Sequence, residues 1–310
     1  MIKIDLITGF LGSGKTTFIK KYAKYLIDCG YHIGILENDY GAVNVDMMLL
    51  QDMEGEHCEL EMVAGGCDYD CHKRRFKTKL ISMGMSGYDR VLIEPSGIFD
   101  VDEFFDVLYE EPLNQWYEIG NVIAIVDARL EDTLSYQSEY LLASQTASAG
   151  QIILSRVQEA SKDEVTGTIA HLNRVMEQFQ CRRRFQKEIR SVNWEEITVQ
   201  DWKEISSCGY MPENYVKVLI DQDSAYSSLY YMHVRMSEQE LRSTVEKLMQ
   251  DTACGNIFRI KGFMKTDRGQ WIELNATHKN IDIQPIANGQ EIIIVIGEEL
   301  AAEAINAYWE

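Results

Sequence analysis

The sequence predicts an α/β chain: a doubly wound, mostly parallel sheet followed by a smaller α+β domain. Three observations carry that expectation. The stretch Leu6-Ile7-Thr8-Gly9-Phe10-Leu11-Gly12-Ser13-Gly14-Lys15-Thr16-Thr17 matches the G-x-x-x-x-G-K-[ST] pattern of a P-loop. Short apolar runs then alternate with amphipathic stretches over roughly the first 200 residues, the signature of strands crossed over by helices. Beyond residue 228 the apolar runs come at hairpin spacing instead.

The P-loop sits where its chemistry needs it. Residues 2–7 form an apolar run that reads as a buried strand, and residues 18–27 have helical apolar spacing with no breaker. A polyphosphate must be held without bulky side chains in the way. Gly9, Gly12 and Gly14 let the backbone approach and take positive φ. Successive amides and the helix dipole then face the anion. Lys15 adds a point charge near the outer phosphates, and the Thr16 hydroxyl suits Mg²⁺.

Residues 32–36 read as a second strand ending at Glu37, followed by a polar loop over 37–46. Carboxylates beside a polyphosphate need a cation between them, so Glu37, Asp39 and Asp46 are candidates for metal contact or water positioning. Residues 60–63 suggest another strand that runs into Ala64-Gly65-Gly66-Cys67-Asp68-Tyr69-Asp70-Cys71-His72. A helix from Asp68 to Met83 would place Cys67 and Cys71, four apart, on one face. Two thiolates so placed suit one Zn²⁺-like ion, and the basic run 73–75 favours their ionised form.

Residues 88–93 form a buried-strand run leading to Glu94-Pro95-Ser96-Gly97. Glu94 is placed to hold Mg²⁺ through water, and the Gly97 amide to sense a terminal phosphate. Residues 101–108 and 134–146 read as helices, and 121–126 as a central strand. The strand 151–154 ends in Ser155-Arg156-Val157-Gln158, where P-loop GTPases carry Asn-Lys-x-Asp. Gln158 offers guanine no charged bidentate acceptor, which predicts weak discrimination of GTP over ATP, while Arg156 has a planar face able to stack on a base. A helix over 162–178, a solvated or salt-bridged basic patch over 181–187, a last strand over 185–192 and a short helix over 199–206 complete the first domain.

We place that domain at 1–210, a linker at 211–228 and the second domain at 229–310. In the latter, Ser237 and Glu240 form a capping box for a helix to Met249, and four short strands and a closing helix follow.

The chain has 310 residues and a formal charge of −19. That charge argues against nucleic-acid and anionic-membrane partners. No apolar run reaches the roughly 18 residues of a membrane span. The first strand leaves no room for a signal peptide, and seven cysteines read as reduced thiols or metal ligands, so the expected location is cytoplasmic.

Together, the Gly9–Thr17 loop, Glu37-Asn38-Asp39-Tyr40-Gly41, Gly65-Gly66-Cys67, Glu94-Pro95-Ser96-Gly97 and Phe258-Arg259-Ile260-Lys261-Gly262 resemble the CobW-type family of P-loop GTPases, over nearly the whole chain. The resemblance implies metallochaperone or metal-insertase activity: slow GTP hydrolysis coupled to transfer of Zn²⁺ or Co²⁺ to a metalloenzyme client. A homodimer is left open, and ATP is the alternative nucleotide. Lys15, Glu37, Asp39 and Glu94 would serve catalysis, and Thr16 and Glu94 would hold Mg²⁺. Gly9, Gly12, Ser13, Gly14, Lys15, Thr16, Thr17, Gly97, Ser155 and Arg156 would contact nucleotide. Cys67, Cys71 and Glu37 would take the transferred ion. The family usually carries Cys-x-Cys-Cys after the glycine pair, and a second Glu where Ala42 stands here. The altered base motif favours, as the alternative, a nucleotide-binding scaffold or assembly factor with little hydrolysis.

Overall fold

The computed structural model describes residues 1–39, 45–64, 69–97, 99–218 and 226–309. Its contacts divide the chain into two units, Met1–Val218 and Leu219–Glu310.

The first unit runs β1 (Ile2–Thr8), α1 (Lys15–Asp28), β2 (Ile33–Asp39), α2 (Val45–Leu50), β3 (Cys58–Ala64), α3 (Tyr69–Met83), β4 (Arg90–Pro95), α4 (Val101–Tyr109), α5 (Leu113–Trp116), β5 (Tyr117–Asp127), α6 (Tyr136–Ala147), β6 (Gln151–Ser155), α7 (Lys162–Gln178), β7 (Ile189–Arg190) and α8 (Val199–Ile205). Its seven strands form one sheet in the order β3-β2-β4-β1-β5-β6-β7, and every pairing is parallel. The central strands are continuous apolar runs because both faces are covered by helices. β1 is central: β2 and β3 lie to one side and β5 to β7 to the other. Ligands of such sheets bind outside the carboxyl ends of the strands where the order reverses, and the P-loop leaves β1 at that end.

One sheet face packs on α1 through Ile7, Ile35, Ile125 and Ile153 against Phe18, Ile19 and Tyr22. Trp202 of α8 closes over α1, with its ring 5.6 Å from Phe18, 6.0 Å from Tyr22 and 5.9 Å from Tyr25. The helix that begins at the P-loop is thus held from both sides.

Several expectations are corrected. β2 continues through Glu37 to Asp39 rather than giving way to a loop, because Glu37 and Asn38 still have ladder partners on both sides, Met62 and Val63 of β3 and Glu94 and Pro95 of β4. Residues 45–50 are helical, and 40–44 lie outside the described residues. The strand expected over 185–192 shrinks to Ile189–Arg190, which pair with Ile152 and Ile153 of β6. The basic run over 181–187 is not all solvated: Arg183 is 6 % exposed and donates to the carbonyls of Ala147 and Ala149, at the end of α6 where a cation complements the helix dipole. Residues 207–216 lie within the first unit and pack on it. Gly209 N donates to Asn121 Oδ1 at 2.8 Å, and the Tyr215 hydroxyl donates to Asp102 at 3.0 Å.

The second unit runs β8 (Ser227–Met232), α9 (Glu238–Gln250), β9 (Asn256–Lys265), β10 (Trp271–Thr277), β11 (Asn280–Pro285), β12 (Ile292–Glu298) and α10 (Ala302–Asn306). Its antiparallel sheet has the order β11-β10-β9-β12-β8. The Ser237–Glu240 capping box forms as the sequence predicts. Leu241, Val245 and Leu248 of α9 bury against Ile260, Leu274, Ile293 and Val295 of the sheet.

Candidate functional site

The P-loop is built on three glycines at positive φ: Gly9 at 146°, Gly12 at 73° and Gly14 at 100°. At Gly9 the need is steric as well, because a Cβ there would lie 2.2 Å from the Ile125 carbonyl oxygen. The loop therefore runs against β5 at a distance only glycine permits. Gly14 caps α1 in the left-handed region, so the helix opens with its amides facing the loop. Ser13 is buried, and its hydroxyl has no hydrogen-bond partner among the described residues. Such a group costs about 1–3 kcal/mol, and a ligand oxygen in the cradle would relieve it.

Lys15 is folded back onto the loop, with Nζ 3.0 Å from the Gly9 carbonyl and 3.4 Å from that of Phe10. Thr16 points to the sheet. Its hydroxyl donates to Glu94 Oε1 at 2.8 Å, across 78 residues of sequence. Hydroxyl and carboxylate oxygens so close are the hard donor set that suits Mg²⁺. Glu37 stands in register with Glu94 on the neighbouring parallel strand. In parallel strands registered side chains share a face, so two carboxylates, both buried, lie side by side near the cradle. Asp39 ends β2 two residues further on.

Gly97 closes the far wall. A Cβ there would lie 2.7 Å from the Leu11 amide nitrogen, so the loop after β4 touches the P-loop backbone to backbone. That loop is held from α6: Gln145 Nε2 donates to the Gly97 carbonyl at 2.9 Å, and the Ser144 hydroxyl donates to Asp100 at 2.7 Å.

Arg156 is held at the end of β6. Its guanidinium bridges Asp127 at the end of β5 and the Gly12 carbonyl, the latter at 2.9 Å, through N–H groups in its own plane. It ties the end of β6 to the P-loop. Ser155 is buried, with Cβ 3.6 Å from where a Gly14 side chain would begin. A cleft of about 190 Å³ opens beside this wall, between Gly14, Thr17, Lys21, Ser155, Arg156, Gln158, Asn193, Trp194 and Glu195. The last three are sites that sequence reasoning missed. The available signal was positional: a loop after the next parallel strand falls beside the same crevice. Trp194 is fixed there by its indole N–H, which donates to the Leu154 carbonyl at 2.9 Å, and by an edge contact with Phe18.

Of the two expected thiol ligands, Cys67 lies outside the described residues, as do Gly65, Gly66 and Asp68. Cys71 is half-buried in the first turn of α3. That helix follows β3, whose end pairs with the end of β2 that bears Glu37. Among the described residues no cluster of three or more metal-ligating side chains forms.

The other cysteines are placed differently. Burial pushes the Cys58 thiol up to about 11 and the Cys208 thiol up to about 12. Thiolate is the reactive form, so at pH 8 both should resist iodoacetamide while exposed Cys29 is modified quickly. Mass spectrometry of a timed reaction checks this; rapid labelling of Cys58 or Cys208 in folded protein would contradict the burial described here.

The fold and cradle define a P-loop nucleotide-binding protein. The chain belongs to the CobW/HypB/UreG family: the model of that family's nucleotide-binding domain matches residues 3–186, and the model of the cobalamin synthesis protein cobW C-terminal domain matches residues 227–310. It is 30 % identical over 171 residues to the zinc chaperone YjiA of Escherichia coli K12, covering 53 % of this chain and 52 % of that protein. It is 31 % identical over 157 residues to the zinc chaperone YeiR of the same organism, covering 50 % and 47 %. The chain thus spans about half the length of the curated relatives it matches. A solved structure of Zn(II)-bound YjiA GTPase from E. coli aligns over 99 % of this chain and 97 % of that one, at 20 % identity and a TM-score of 0.41. No helix among the described residues is long and apolar enough to cross a membrane.

Proposed function

We propose that this chain is a nucleotide-switched metal carrier that binds GTP, hydrolyses it slowly and delivers Zn²⁺ or Co²⁺ to a metalloprotein client. The observation that carries the reading is the 2.8 Å contact between the Thr16 hydroxyl and Glu94 behind a three-glycine cradle. The loop amides and Lys15 hold the polyphosphate. Thr16 and Glu94 would hold Mg²⁺, which would supply charge neutralisation at the outer phosphates. Glu37 or Asp39 orients the water whose oxygen bonds to the γ-phosphorus as the β–γ bridging bond breaks. Gly97, held against Leu11 and tethered to α6, senses the terminal phosphate.

The cargo ion is taken by Cys67 and Cys71, with Glu37 as an oxygen ligand. Nucleotide contacts at the end of β2 then alter the thiol site, and the two affinities are linked reciprocally. Residues 1–210 form the nucleotide domain, and 229–310 the second domain. The names of the relatives YjiA and YeiR, both zinc chaperones, support zinc as the cargo.

Replacing both Cys67 and Cys71 by serine should weaken Zn²⁺ binding at least about tenfold, because thiolate is the preferred soft ligand. Competition with a chromophoric chelator measures this, and an unchanged titration would remove both thiols from the site.

Gln158 in the base-reading position favours a second reading, a nucleotide-dependent assembly factor without useful turnover. Multiple-turnover phosphate release with and without Zn²⁺ and Co²⁺ separates the two. Release above the Lys15→Ala control supports the carrier, and release equal to that control supports the assembly factor.

A further inference from the structure

Guanine is distinguished from adenine along one edge. Guanine presents an acceptor, O6, beside two donors, N1–H and the N2 amino group. Adenine presents a donor, the N6 amino group, beside an acceptor, N1. A side-chain amide holds both kinds of group and can turn to suit either base. Gln158 alone therefore gives little discrimination, as the sequence predicts.

The cleft holds a second polar feature. Lys21 and Glu195 line it together with Gln158, and Lys21 Nζ lies 2.7 Å from Glu195 Oε1. The backbone that bears each is anchored from behind. Lys21 lies on α1, one turn beyond the P-loop threonines. Glu195 follows Trp194, whose indole is anchored on Leu154 and Phe18, and the Glu195 amide donates to Asn193 Oδ1 at 3.2 Å. The Lys21 side chain is 28 % exposed and that of Glu195 77 %, so the pair stands at the mouth of the cleft, open to a ligand edge.

We propose that the Lys21–Glu195 pair reads the base and selects guanine, taking over the role Gln158 cannot fill. The inference rests on the nucleotide reading of the site. The ammonium donates to O6, and the carboxylate accepts from N1–H and the N2 amino group, a charge-assisted bidentate contact. Adenine meets the same pair with its polarity reversed: its amino group faces the ammonium and its N1 lone pair faces the carboxylate. Trp194 forms the apolar wall beside which the ring lies.

The test is calorimetric titration of the full chain with GTP, ATP and xanthosine triphosphate, in the presence of Mg²⁺. The native chain should bind GTP at least about tenfold tighter than ATP, the order expected of one good bidentate contact. Glu195→Gln should bring GTP and ATP to within about twofold of each other. It should also raise affinity for xanthosine triphosphate over the native chain, because xanthine has a carbonyl where guanine has the N2 amino group and the new amide can donate to it. A merely structural role for Glu195 would lower all three affinities alike. Lys21→Met should lose part of the GTP preference through O6. If the native chain binds GTP and ATP equally, or if Glu195→Gln keeps the native ratio, the pair does not read the base. If the native chain binds none of the three, the nucleotide reading falls too, an outcome distinct from the loss of selectivity alone.

Discussion

Replacing Lys15 by alanine is expected to lower nucleoside triphosphate affinity by about 100-fold, which corresponds to roughly 2.7 kcal/mol. Lys15 is 6 % exposed, and its ammonium is held over the cradle by the Gly9 and Phe10 carbonyls. Those contacts are neutral acceptors that a phosphate oxygen outcompetes, since hydrogen bonds between charged partners are about twice as strong as neutral ones. The fold should tolerate the change, because the loop is fixed independently by Arg156 on the Gly12 carbonyl and by the glycine contacts with β5. Lys15→Arg is not expected to restore binding, since a planar fork does not fit a cradle shaped for a compact point charge. Calorimetry with GTP, alongside thermal melts of both variants, checks the pair of statements. Native-like affinity in Lys15→Ala would place the polyanion elsewhere.

The largest effect on stability is expected at a buried ion pair on the opposite stretch of β1. Asp5 is fully buried, and its carboxylate accepts from Arg90 Nη1 at 2.8 Å, the Tyr22 hydroxyl at 2.7 Å and Asn121 Nδ2 at 3.0 Å. Arg90 also donates to the Ser206 carbonyl at 3.2 Å. The network joins β1, β4, β5, α1 and the end of α8. Arg90→Met removes the positive partner and leaves the carboxylate in a dry site, which costs about 3–5 kcal/mol. Asp5→Asn in the same chain should recover much of that loss, because an uncharged amide needs no counter-ion.

The pH dependence follows from the direction of the Asp5 shift. Burial raises its carboxyl above the ordinary 3.8 even against the pull of Arg90, and losing Arg90 raises it further. A group that binds its proton more tightly when folded makes stability fall as pH rises between its unfolded and folded values. The deficit of Arg90→Met should therefore be smaller at pH 5 than at pH 8. Urea unfolding at the two pH values measures it. An equal deficit at both would show that the cost is packing rather than charge.

What the sequence reveals is what local pattern encodes. The P-loop, the Glu94 strand end and the α7 helix over 162–178 are legible because each is a contiguous signal: fixed glycine spacing, an apolar run closed by a carboxylate, or a capped amphipathic repeat. Thr16 and Glu94 meet because Thr16 follows β1 and Glu94 lies near the end of β4, its parallel neighbour. Arg156 is different. Its position was evident, but not its partners, since the Gly12 carbonyl and Asp127 are 144 and 29 residues away. Likewise Asn193, Trp194 and Glu195 join the cleft only because β7 stops after two residues and α8 folds back over α1. Arg183 was hidden for the same reason: three consecutive arginines read as a solvated or salt-bridged patch, which Arg184 on Glu177 fits, yet Arg183 is drawn inward to cap α6. Long-range closure, not local propensity, decides each of these.

The central claim is that polyphosphate in the cradle changes the grip of the thiol site on its ion. The most direct measurement is Zn²⁺ affinity of the full chain by chelator competition, once with Mg²⁺ and GDP and once with Mg²⁺ and a non-hydrolysable GTP analogue. The account predicts dissociation constants at least about fivefold apart, the lower end of ordinary coupling between sites. Identical constants in the two states, with both nucleotides bound, would contradict it.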